Sequence, residues 1–215
     1  MTTSSRVSPV ALALLTLWRL GVAVCGLVGV YFTVDEVDDF YYLSSLGSLA
    51  VGIVYIGLAL VPVFTGGRTH EPPTAWPRGA MAVLMVLISL TSILFLHPGL
   101  DHTGLLFEHL VTPIVVVADY LFVGGAQLRT RPWEPLTWVL PPLLYFVFLL
   151  STGVQAYANL FDPHNDDFVS TVLAFFAALI LCGYALFGLA RFIGTIRRPG
   201  ADSATRTEMP ATASR

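Results

Sequence analysis

The chain has 215 residues, of which 55% are hydrophobic and only 12% charged, with a formal net charge of -3. A soluble domain carries about a quarter charged residues, so this composition leaves too little polar surface to cover a water-soluble globule. The acidic balance also argues against a nucleic-acid partner.

Six apolar segments follow in chain order, near 9–32, 40–64, 77–97, 104–126, 137–154 and 168–194. About 20 residues at 1.5 Å each cross a hydrocarbon core of roughly 30 Å. Lipid leaves no unpaired backbone, so spans of this length are expected to be helices. The first, "ALALLTLWRLGVAVCG", is too long and too interrupted by Arg19 for a cleaved signal core. The fifth is the weakest, because Pro141 and Pro142 fall inside it. The expected fold is all-α: a polytopic bundle of six transmembrane helices over 9–194. Tails at 1–8 and 195–215, rich in Ser, Thr, Ala and Pro, lack the apolar content to fold.

All eleven basic residues are arginines. Arg6, the loop pair Arg68 and Arg78, the loop pair Arg129 and Arg131, and Arg191, Arg197, Arg198, Arg206 and Arg215 belong to one side of the alternating topology. The other three loops hold acids: Asp35, Glu36, Asp38 and Asp39, then Asp101, then Asp162, Asp166 and Asp167. By the positive-inside rule both termini are expected in the cytoplasm of a multi-pass cell-membrane protein. Cys25 and Cys182 lie within spans, which suits neither a disulfide framework nor a thiolate metal site. His97, His102 and His164 with the outer acids match no metal motif. A haem would need facing histidines, and only His109 lies inside a span, so no cofactor or metal is expected. In "LFDPHNDDF", Asp162 or Asn165 is a candidate cap near the start of span six.

Polar groups inside the apolar segments are the candidates for function. Arg19 and Asp119 fall at similar depth in the inner half of the bilayer, where an unpaired charge costs several kcal/mol. They are therefore expected to approach each other, directly or through water, as a structural ion pair between helices one and four. Near the outer face, "DDFYYLSSLGSLAVGIVY" places Ser44 roughly 6 Å below the start of span two, and His109 lies about as deep in span four. A serine hydroxyl is a weak nucleophile until a base removes its proton, and histidine is the usual base. Ser45 is turned about 100° from Ser44, Ser48 shares the face of Ser44, and Glu108 is expected to point away from the side of His109.

The stretches "FYYLSSLGSLAVGI", "EHLVTPIVVVADYLF" and "LLYFVFLL…YANLFDP" occur in this order across nearly the whole span region. Together they resemble the bacterial six-helix membrane family called Pr-six-Pr, which is similar to the eukaryotic androgen-induced transmembrane hydrolases. In that pattern a histidine in helix four is followed by proline four residues on and an acid ten residues on, matching His109, Pro113 and Asp119. Ser44 stands where the family carries threonine, and Gly47-Ser48 where it carries Ser-Asn. The resemblance implies hydrolysis of fatty acid esters of hydroxy fatty acids, with Ser44 as nucleophile and His109 as base.

Two functions are carried forward. The first is a lipid-ester hydrolase whose site opens to the outer leaflet between helices two and four, with membrane lipids around it and an acyl ester as substrate. The alternative is a non-catalytic membrane protein, either a small transporter or an assembly partner.

Overall fold

The computed structural model describes residues 8–96, 100–152 and 161–197, and the side chains of all of these but 95 and 96. The described residues form an all-helical bundle with six helices long and apolar enough to cross a membrane. They are α1 (Pro9–Thr33), α2 (Leu43–Phe64), α3 (Trp76–Leu94), α4 (Thr103–Phe122), α5 (Glu134–Thr152) and α6 (Phe168–Arg197). Most of both expected tails, together with His97, lies outside the described residues. At the tail boundaries Ser8 caps α1 by accepting a hydrogen bond from Ala11 N at 3.2 Å, and residues 195–197 extend α6 rather than starting a tail.

The helices alternate in direction. At one end the close of α1 meets the start of α4, where Gly104 abuts Thr33 and Phe32. At the same end Tyr145 of α5 donates to Tyr41 O, just before α2, at 2.7 Å. At the other end Arg191 of α6 donates to Thr130 O at 3.0 Å. Here too Arg197 reaches Phe122 O, at the end of α4, at 2.8 Å. The acids at 35–39, 101, 162, 166 and 167 lie at the first end, and Arg68, Arg129 and Arg131 at the second together with Glu71.

Lipid tails are as apolar as leucine, so helices in a bilayer associate through close packing of small residues. The α1–α2 contact shows this plainly. A Cβ on Gly26 would sit 2.6 Å from Ser48 O, and one on Gly52 would meet Leu27 at 2.7 Å. α3 is the most enclosed helix, with Ala80 through Met85 all buried. α6 is the opposite: five of its 30 residues are buried, while Val169, Leu173, Leu181, Phe192 and Ile196 face outward.

The fifth span begins at Glu134, three residues earlier than expected. Its first turn, Glu134–Thr137, breaks at Trp138, and the helix resumes over Leu140–Thr152. Pro141 and Pro142 thus occupy the first turn of the resumed segment, where a missing N–H removes no helical bond. The Trp138 indole fills the notch left by Gly79, where a Cβ would lie 2.4 Å from the ring. In the connector before α6, Asp162 Oδ1 accepts from His164 N at 2.9 Å and Asn165 O from Phe168 N at 3.0 Å. This is a turn ahead of the helix rather than a side-chain cap on it.

Candidate functional site

A cavity of about 270 Å³ lies at the acidic end of the bundle, walled by α2, α3, α4, α5 and the start of α6. Leu87, Ile88, Phe146, Leu149, Phe161 and Phe175 make its lining largely apolar and aromatic. Ser44, Ser45, Ser92 and His109 line it as well. The two expected catalytic residues therefore open onto one space, brought there from α2 and α4.

Local structure explains how each arrives. Ser44 and Ser45 lie in the first turn of α2, directly after the connector Val34–Tyr42. Within that connector Asp39 Oδ2 accepts from Asp35 N and Glu36 N, each at 2.9 Å. These bonds, that from Glu36 foremost, hold the Asp39 carboxyl below the ordinary carboxylate range. Asp39 also lines the cavity. Both serines reach it, although adjacent helical residues were expected to diverge. Ser48, one turn further along α2, is fully buried and does not line the cavity, and its carbonyl lies against Gly26.

His109 sits in a π-turn, Phe107–Val111, built into α4. Such a turn widens the helix and re-aims its side chains. His109 is 6% exposed, and its Nδ1 has no hydrogen-bond partner. Ser92 Oγ of α3 and Thr33 Oγ1 of α1, which also line the cavity, are likewise buried without partners. A mostly apolar cavity with a few uncommitted polar atoms in its lining suits an amphiphile whose polar group docks among them.

Glu108 was expected to point away from the side of His109, and His109 lines the cavity while Glu108 does not. It is fully buried and faces the hydroxyls of Ser44 and Ser45. Its room comes from Gly29 of α1, where a Cβ would lie 2.8 Å from Glu108 Cγ. Helical spacing gives the divergence from His109 but not the neighbours, because which groups Glu108 meets depends on how α4 sits against α1 and α2. An acid in an apolar span was nevertheless a signal in itself.

The second polar cluster occupies the opposite end. Asp119 is fully buried and accepts three side-chain hydrogen bonds: from Arg78 Nε at 2.7 Å, Tyr55 OH at 2.9 Å and Trp18 Nε1 at 2.8 Å. Its ion-pair partner is Arg78 of α3, so the expected direct pair with Arg19 is not formed. Arg78 was assigned to a loop, yet it follows Pro77 in the first turn of α3 and is fully buried. Arg78 also donates to the backbone carbonyls of Asp119 and Val123 and lies 3.5 Å from Glu71.

Arg19 belongs to the same cluster but binds carbonyls, Leu58 O at 3.1 Å and His70 O, and its Nε and Nη2 have no partner. Burial pushes the His70 imidazole below its ordinary value; Glu71 opposes this, while Arg19 and Arg78 add to it. Two arginines and two acids make the cluster neutral, and it ties α1, α2, α3, α4 and the 65–75 connector together.

Among the described residues no group of three or more His, Cys, Asp or Glu side chains is placed to hold a metal ion. Comparison of the chain with family models, curated proteins and solved structures finds no significant match.

Proposed function

We propose that this multi-pass membrane protein is a lipid-ester hydrolase, related to the Pr-six-Pr family, with Ser44 as nucleophile and His109 as general base. One observation carries the reading: Ser44 and His109, from different helices, line the same apolar cavity beside unpartnered polar atoms. The arginine asymmetry favours a cell-membrane orientation with both termini cytoplasmic. In that orientation the cavity lies toward the outer leaflet, within reach of its acyl esters.

In the proposed reaction the Ser44 hydroxyl attacks the ester carbonyl as its proton passes to His109. The tetrahedral oxyanion takes a hydrogen bond from Ser92 Oγ, a donor with no other partner. The intermediate collapses to an acyl-serine, and the departing alcohol takes the proton back from the imidazolium. A water molecule then gives a proton to His109 and attacks the acyl carbon. The freed Ser44 oxygen recovers that proton, and the carboxylic acid leaves. Leu87, Ile88, Phe146 and Phe175 hold the acyl chain meanwhile.

The charged cluster at the other end serves as a clamp in this reading. Its acids and guanidinium groups are bonded to one another and to backbone across four helices, with no part in moving ions.

The test is fluorophosphonate labelling of the purified protein. The parent is expected to label, Ser44→Ala to lose labelling, and His109→Ala to label roughly 10²–10⁴-fold more slowly. Labelling that survives in Ser44→Ala, or a parent that does not label, overturns the proposal.

A further inference from the structure

Of the three buried acids among the described residues, Asp119 and Glu134 are hydrogen-bonded. Only Glu108 has neither carboxyl oxygen in a well-formed hydrogen bond, and it is completely shielded from solvent. No cation pairs with it. The groups that face it are the Ser44 and Ser45 hydroxyls. Gly29 supplies no side chain and leaves the space that the carboxyl stem fills. An isolated carboxylate in such surroundings costs several kcal/mol, whereas a neutral acid needs only an acceptor. Serine oxygens are acceptors.

We infer that Glu108 is a neutral acid that donates its hydrogen bond to the serine pair, and so acts as the positioning residue for the Ser44 nucleophile. The inference rests on the hydrolase reading and adds a third member to its machinery. The chemistry favours donation over acceptance. An ionised Glu108 would draw the Ser44 O–H toward itself and compete with His109 for that proton. A neutral Glu108 occupies one lone pair of the oxygen and leaves the O–H free to turn toward the imidazole. Adjacent helical positions divide the two roles, with Glu108 facing Gly29 and the serines and His109 lining the cavity.

Two measurements test it. The first is infrared difference spectroscopy of the purified protein, comparing the parent with Glu108→Gln. A protonated-carboxyl band is expected in the parent, absent from Glu108→Gln, and displaced in Ser44→Ala or Ser45→Ala as an acceptor is lost. The second is the fluorophosphonate labelling rate. Glu108→Gln retains a donor, and since one net hydrogen bond is worth about 0.5–1.5 kcal/mol it stays within about tenfold of the parent. Glu108→Leu leaves the serine unpositioned and labels about 10²-fold more slowly. Its melting temperature falls by no more than a few degrees, because an apolar side chain of similar shape keeps the notch filled and only one net hydrogen bond, about 0.5–1.5 kcal/mol, is lost.

A missing band, or one indifferent to the serine variants, overturns the inference. So does a Glu108→Gln variant as slow as Glu108→Leu, which would make Glu108 a base. If the parent labels and Glu108→Leu labels equally fast, the positioning role falls alone. If the parent does not label, the hydrolase reading falls and takes that role with it.

Discussion

Replacing Asp119 by alanine removes the acceptor on which three helices converge. Arg78 Nε, Tyr55 OH and Trp18 Nε1, now at 2.7–2.9 Å from its carboxylate, all lose their partner. Deleting one member of a buried ion pair costs about 3–5 kcal/mol, because the remaining charge stays buried. Arg78 keeps two backbone carbonyls and the more distant Glu71, which pulls toward the lower figure. The stranded indole and phenol, at about 1–3 kcal/mol each when left unmade, pull toward the upper. A chain of this size loses about 2–4 °C per kcal/mol, so Asp119→Ala is expected to melt roughly 6–20 °C below the parent. Thermal unfolding in a fixed detergent, followed by intrinsic fluorescence, measures this. A double-mutant cycle then separates the two arginines. Asp119 and Arg78 are expected to couple by about 1–3 kcal/mol, and Asp119 and Arg19 by clearly less, since only the first pair shares a hydrogen bond. A variant that melts with the parent, or a cycle with the larger coupling at Arg19, refutes this account of the cluster.

Gly124 has a φ of +74°, and a Cβ there would lie 1.5 Å from Glu71 Oε1. Gly124→Ala must therefore displace Glu71 from Gly125 N and Arg78, and is expected to cost about 1–3 kcal/mol by thermal melting. Asp39 tests the connector beside the cavity. Its folded-state pKa is depressed by the N–H groups of Glu36 and Asp35, so its contribution is present above the unfolded value of about 3.9 and is lost as pH falls through the folded one. Amide exchange at Asp35 and Glu36, corrected for intrinsic rates, should stay protected down to about pH 4 and lose protection below it. Asp39→Asn should show the loss at neutral pH.

Much of the architecture was legible before any coordinates. Six apolar runs of bilayer length, separated by short polar connectors, admit few alternatives to six helices, because unpaired backbone is too costly in lipid. The similar depth of Ser44 and His109 followed from topology and helical rise alone, whereas the cavity they both line depends on how α2 and α4 pack with their neighbours. Arg78 was misjudged for a physical reason: a residue just past a proline reads as a loop cation, and only packing against α4 shows that its guanidinium turns inward to Asp119. Arg19 was placed by depth in the cluster that holds Asp119, but its hydrogen bonds go to Leu58 O and His70 O rather than to that carboxylate, since depth is one coordinate and azimuth is another.

Glu108 marks the same boundary more sharply. Its identity as an acid inside an apolar span is written in the chain, but what it meets depends on how α4 sits against α1 and α2 and on the room left by Gly29. Hydrophobic length and charge placement act locally and additively, so sequence alone determines how many helices there are and which groups share a level. Which side chains meet depends on helix rotation and on small-residue notches between neighbours. Those are properties of pairs of helices, and only the assembled bundle decides them.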